Sequence, residues 1–247
     1  MNRPIRIGLI AEGEAELGKS IPYIKPEDGG KIIDPEDEGG LHKLIRRELA
    51  SVGISDCNFV QRHPLTNEMN VVKRRTGYSV LKPKYLAKVV IAWKPEEVDM
   101  IVIVVDADDQ LSQRQRDLEK ALNTVRENHL DANELPISDR STGGLAITKF
   151  DTWLLADTET VSRILGLPIL ALDNIEELND TKDILENAIA QSEFMSEPIT
   201  NQRPLQIRWH LATQIDLAIL KNCCPKGYRT FAESLAHVAR GIEDAIA

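Results

Sequence analysis

Cysteine is scarce: the 247 residues hold three, Cys57, Cys223 and Cys224. An odd count with two neighbours gives neither the disulfide framework of a secreted domain nor the paired spacing of a zinc site. We read a reducing, cytoplasmic setting with buried thiols. Long apolar runs are also missing. No stretch approaches the roughly 20 residues of a membrane-crossing helix. The apolar run at residues 5–11 (IRIGLIA) is too short for a signal-peptide core and leads straight into acidic residues. No membrane partner is expected. Positive charge is in deficit, with a formal net charge of −9, which excludes long-range attraction to nucleic acid over the whole surface. A phosphate-bearing partner must be held locally. The histidines, His42, His63, His129, His210 and His237, are scattered singly. They offer no metal pair at helical spacing and read as structural. The sequence has no internal repeat and no low-complexity tract.

What is present reads as α/β. Apolar residues make up 42% of the chain, enough for one large domain or a core with a smaller appendage. Residues 5–11 form a β-branched-rich run that stops at Glu12-Gly13-Glu14-Ala15-Glu16, as a strand entering a loop does. Residues 18–40 are rich in Gly, Pro and acids without a sustained period, which predicts a long loop or lid. Leu41, Leu44, Ile45, Leu49 and Val52 then recur at helical spacing, with Gly53 as the stop. A weaker strand is expected at 58–61. A basic stretch, residues 73–88 (KRRTGYSVLKPKYLAK), leads into a helix with Leu86, Val89, Val90 and Trp93 on its apolar face, which Pro95 ends.

The clearest segment is 99–109, where an unbroken apolar run from Met100 to Val105 meets Asp106, Asp108 and Asp109. Such a run predicts a central strand covered on both faces. Ser112 is expected to cap a helix that turns Leu118, Ala121, Leu122 and Val125 inward, the βα half of a parallel unit. Ser141-Thr142-Gly143-Gly144 reads as a turn before a third strand at 145–148; its glycines suit either a plain turn or a phosphate cradle. Beyond Lys149 the pattern is helical: FDTWLLAD, TETVSRILG, residues 183–192, a long helix at 205–222 stopped by Cys223-Cys224-Pro225, and a last helix holding Phe231, Leu235, Val238 and Ile242.

In an open parallel sheet the functional crevice lies at the carboxyl ends of the strands. That rule selects Glu12 after the first strand, and Asp106, Asp108 and Asp109 after the hydrophobic one. Carboxylates gathered there repel one another and raise their own pKa values unless a cation is shared among them. Hard oxygen ligands with open positions suit Mg²⁺ or Mn²⁺, which keep water and recruit phosphates. In Asp106-Ala107-Asp108 alternate side chains can face one side and reach one ion. Acids in such places also cap helices or solvate loops, so both readings stand at this point.

An apolar strand ending in AEGEAE, together with IVIVVDADD further on, resembles the Toprim domain shared by topoisomerases, primases and related nucleases. That family places a glutamate after its first strand and an Asp-x-Asp after a later one. The resemblance makes Glu12 the glutamate and Asp106 and Asp108 the pair. It implies catalytic and metal-binding roles for all three, with Mg²⁺ or Mn²⁺ as cofactor. ITKFDTWLLAD, with the downstream Cys-Pro element and YRTFAESL, is similar to a narrower, uncharacterised Toprim-like family of bacterial genomes, often found near ATPases and mobile-element defence genes. A nuclease acting on DNA or RNA, linked to genome or phage defence, is what this implies. Two departures stand out: residues 18–40 separate the first glutamate from its helix, and Asp151 sits where the narrower family favours glutamate.

Further candidates follow. Glu16 is a second ligand near Glu12, or a solvated loop residue. Asp151 and Asp157 flank Trp153-Leu154-Leu155, where Asp151 would complete a metal site or simply meet water. Lys73, Arg74, Arg75 and Lys82 belong to the densest basic stretch, suited to a nucleic-acid backbone and equally to a solvated surface. The expected organisation is a Toprim-like, mostly parallel sheet flanked by helices at 1–157, with a helical C-terminal extension at 158–247 packed on it. The expected function is Mg²⁺-dependent phosphodiester cleavage. The alternative is a non-catalytic metal- or nucleotide-binding partner of an ATPase complex, and a blander one is a structural protein with a solvated acidic rim.

Overall fold

The computed structural model describes residues 3–19, 30–61, 66–67, 70–71, 80–82, 86, 93, 96–128, 140–192 and 203–246. Five strands form one sheet: β1 (Ile5–Ile10), β2 (Lys31–Ile32), β3 (Cys57–Gln61), β6 (Met100–Asp106) and β7 (Ser141–Ala146), in the order β2-β3-β1-β6-β7. Every pairing is parallel except that of β2 with β3. Two further short strands, β4 (Thr66–Asn67) and β5 (Asn70–Val71), pair separately and antiparallel. The fold is α/β with a mostly parallel sheet, as its run of alternating strands and helices predicts.

β6 lies inside the sheet because its side chains suit burial on both faces. Met100, Val102 and Val104 enter one apolar cluster, and Ile101, Ile103 and Val105 the other, the two-residue alternation of a strand. The first cluster is covered by α2 (Gly40–Ser51) and by helices from the second half of the chain. Those helices are α4 (Phe150–Leu155), α5 (Thr158–Leu165), α6 (Thr181–Gln191), α7 (Arg203–Gln214), α8 (Leu217–Cys223) and α9 (Thr230–Ile246). The second cluster holds Leu118, Ala121 and Val125 of α3 (Leu111–Asn128), together with Trp93. One apolar cluster thus runs from Ile5 to Ile242.

Several sequence expectations shift by a physical cause. Ser141 to Gly144 is strand, not turn, and it continues to Ala146. The glycines serve close packing. A β-carbon on Gly144 would lie 2.7 Å from Cβ of Phe231 in α9, and one on Gly143 would lie 2.7 Å from the Ile103 carbonyl and 2.9 Å from Leu118 in α3. Helices therefore approach both faces of β7 at positions where only glycine fits. Ser112 lies inside α3, one residue past its start. The expected long helix at 205–222 is two helices, because Asp216 accepts from the N–H groups of Ala218 (2.7 Å) and Ile219 (3.1 Å) and starts a new one. Residues 18–40 are not all loop: β2 pairs along β3, and residues 20–29 lie outside the described residues. Of the basic stretch, Lys73, Arg74 and Arg75 also lie outside them, and Lys82 is exposed.

Candidate functional site

β1 and β6 are neighbours and parallel, with Ile10 opposite Ile103, so their carboxyl ends open on the same edge. Glu12 follows β1 by two residues and Asp106 ends β6. The two meet: Glu12 Oε1 accepts the Asp106 backbone N–H at 3.0 Å. Asp106 Oδ1 in turn accepts the N–H of Phe150, the first residue of α4, at 2.8 Å. Glu16 is buried and lies on the short helix α1 (Glu14–Leu17), close enough for its charge to act on Asp106.

The electrostatics follow from burial and crowding. Asp106 is pushed up to about 8, by burial first and then by the charges of Glu16 and Glu12, against an opposing pull from Lys149. Glu16 is pushed up to about 7 by burial, with Glu12 and Asp151 adding repulsion. Burial also raises Glu12, against its hydrogen bond from Asp106. These three acids therefore share one poorly neutralised environment, as like charges gathered in a partly dry site must.

Asp108 is held differently. Its backbone adopts φ of +50°, a left-handed conformation that Asp tolerates better than most residues. One oxygen is bonded by Lys149 Nζ and the other by Arg114 Nη2 at 3.0 Å. Burial pushes its carboxyl up, but these two cations outweigh it and hold the group below its ordinary value. Lys149 and Arg114 were not legible as site residues; the one local signal was their position, directly before FDTW and early in the helix after the Asp-rich turn.

Asp151 is buried and joins the neighbourhood of Glu16, yet its Oδ1 accepts from Arg208 Nε at 2.8 Å. The same helix anchors the acidic loop, since Trp209 Nε1 donates to the Glu14 carbonyl at 3.1 Å. Asp157 is structural: it accepts from Thr160 N (3.1 Å) to start α5 and from Asp216 N (2.9 Å). Glu14 and Asp109 are exposed. The sheet thus gathers Glu12, Glu16 and Asp106, with Asp151 near them on Arg208 and Asp108 on two cations.

As the side chains stand, no group of three or more His, Cys, Asp or Glu among the described residues is gathered tightly enough to hold a metal ion. The donor chemistry nevertheless fits a hard cation. Glu12, Glu16 and Asp106 are oxygen ligands whose repulsion a divalent ion would relieve. Comparison with protein-family models, curated proteins and solved structures finds no match to this chain.

Proposed function

We propose that the acidic edge serves Mg²⁺- or Mn²⁺-dependent phosphodiester chemistry on DNA or RNA, as a Toprim-type nuclease linked to genome or phage defence. The observation that carries this reading is the meeting of Glu12 and Asp106 at the carboxyl edge of adjacent parallel strands, with Glu16 buried beside them. Glu12, Asp106 and Glu16 would hold the ion, and Asp108 is within the same turn to join them. When bound, the ion would neutralise charge on the scissile phosphate and acidify a water.

The residues of the chain have separable tasks. The Asp106 N–H fixes the Glu12 carboxylate through one oxygen, leaving the other to bind the ion or, as the alternative role, to take a proton from water. The Phe150 N–H orients Asp106 in the same way. Arg208 holds Asp151 in place, so that its charge raises Glu16 without competing as a free ligand. Lys73, Arg74, Arg75 and Lys82 would bind phosphates of the strand, a sequence-independent and salt-sensitive contribution. Purified protein incubated with single-stranded and structured DNA and RNA should cleave in Mn²⁺ and stop in EDTA. Neutralising Lys73, Arg74 and Arg75 together should raise KM and flatten the salt dependence while kcat holds.

A second reading is a non-catalytic metal- or nucleotide-binding partner of an ATPase complex. It is favoured by one observation: both oxygens of Asp108 are already bonded by cations. Saturable Mn²⁺ binding by calorimetry, with no cleavage of any substrate alone or beside an ATPase partner, would select it.

A further inference from the structure

We propose that Lys149 and Arg114 form a seat for a substrate phosphate, and that the Asp108 carboxylate is its built-in occupant, displaced when the phosphate arrives. A carboxylate bridging a lysine and an arginine occupies the positions that two phosphate oxygens would take. Here the bridge sits on a turn whose main chain is fixed. Ala107 N donates to the Ala146 carbonyl and Asp108 N to the Thr148 carbonyl, each at 2.8 Å. Release of the bridge therefore needs only rotation of the Asp108 side chain.

The position favours a phosphate that is to be acted on. Lys149 directly precedes Phe150, whose N–H holds Asp106, so the same turn sets the ammonium group and the carboxylate cluster. Lys149 and Asp108 are each about one third exposed, at 33% and 31% of their side-chain surface, whereas Arg114 is 8% exposed. The seat thus opens to solvent on the lysine side and has a buried arginine as its floor. A phosphate that takes over the contacts of the two Asp108 oxygens with Lys149 and Arg114 frees Asp108 to turn toward Glu12 and Asp106. Substrate binding and completion of the carboxylate set would then be coupled through one side chain, with equal effect in both directions. The ligand class rests on the phosphodiester reading above, whereas the displacement is a property of the three side chains alone.

The test uses binding in EDTA, where cleavage plays no part. Asp108→Asn keeps the size of the side chain and tolerates the left-handed backbone, but removes the competing charge. Inorganic phosphate and a short single-stranded oligothymidylate are titrated by calorimetry into the wild type, into Asp108→Asn, and into Asp108→Asn combined with Lys149→Met. Removing a tethered competitor should tighten phosphate binding on the order of tenfold or more, and the added Lys149→Met should abolish that gain. Lys149→Arg in the same background should restore part of it. Oligonucleotide binding that inorganic phosphate competes away assigns the seat to a strand's phosphate. Tighter phosphate binding without oligonucleotide binding assigns it to a free phosphate or phosphomonoester. Equal affinity in the wild type and Asp108→Asn overturns the proposal, as does a gain that survives Lys149→Met. Tightening in EDTA by a protein that cleaves nothing in Mn²⁺ would reject the nuclease reading while leaving the seat in place.

Discussion

The two ends of strand β6 treat an aspartate in opposite ways. Asp99 directly precedes the strand and is held by Arg3 at 2.6 and 2.7 Å, by Arg6 Nε and Nη2 at 3.2 Å, and by the Arg6 backbone N–H at 2.9 Å. Burial alone would raise it, but the arginine bonds hold it far below its ordinary value. Asp106 ends the same strand, accepts the Phe150 N–H, and is pushed up to about 8. Lys149, whose charge pulls the other way, is bonded to Asp108 instead. The chain therefore commits arginines to a carboxylate at the amino end, where it ties strand to strand. At the carboxyl end the cations go to Asp108 and Asp151, which leaves Glu12, Glu16 and Asp106 crowded and short of positive charge, an arrangement that costs the metal-free fold stability and is typical of sites kept for a ligand.

The sharpest way to break this comparison is to neutralise each aspartate and measure activity. Asp106→Asn should lower Mn²⁺-dependent cleavage by about 10²- to 10³-fold, because a lost ligand removes charge stabilisation from the transition state. Asp99→Asn should leave kcat of the folded protein within about threefold, since no reacting group touches it. Equal losses in the two variants would show that the ends do not differ in function.

Stability should rank the same two variants in reverse. By urea denaturation in EDTA at pH 8, Asp99→Asn should cost about 2 kcal/mol, the modest end for a broken ion pair because Arg3 and Arg6 retain access to water. Asp106→Asn keeps an oxygen for the Phe150 N–H and relieves repulsion, so it should be neutral or stabilising by about 1 kcal/mol. An Asp106→Asn protein that unfolds well before the wild type in EDTA would assign Asp106 a structural role.

How much of this was legible depends on the range of the interactions. Strands β1 and β6 and helix α2 follow from local patterns, and the gathering of Glu12 and Asp106 follows from their places at strand ends in a parallel sheet. The cations were hidden. Lys149 reaches Asp108 because residues 146–148 lie alongside the turn after β6, and Arg208 reaches Asp151 from a helix far along the chain, whereas Arg114 lies on the helix that follows the turn and its contact is local. The glycines of β7 were misread for a related reason, since a sequence window does not show that Phe231 and Leu118 press on the strand from its two faces. Pairings set by tertiary contact override local turn chemistry.

The smallest effect measures burial and crowding together at the carboxyl edge. A carboxyl raised in the folded state binds its proton more tightly there than in the unfolded chain, so its contribution favours folding below its ordinary pKa. That contribution is lost as pH rises through the folded value. For Glu16 and Asp106 the window runs from the ordinary 4.5 and 3.8 up to about 7 and about 8. Asp99 has the opposite sign: its stabilisation is present above its ordinary value of 3.8 and is lost only as pH falls further. Between pH 4 and 8 Asp99 is therefore silent, and the carboxyl edge sets the difference between wild type and an Asp106→Asn variant. In EDTA the wild type should lose on the order of 1–2 kcal/mol relative to that variant across this range, by denaturation at successive pH values. Saturating Mg²⁺ should flatten the wild-type slope, because an ion that binds the folded state alone replaces the protons. Parallel pH profiles for the two proteins in EDTA would mean that neither burial nor the charges of Glu16 and Glu12 raise Asp106, and the contrast between the two ends of β6 would lose its electrostatic basis.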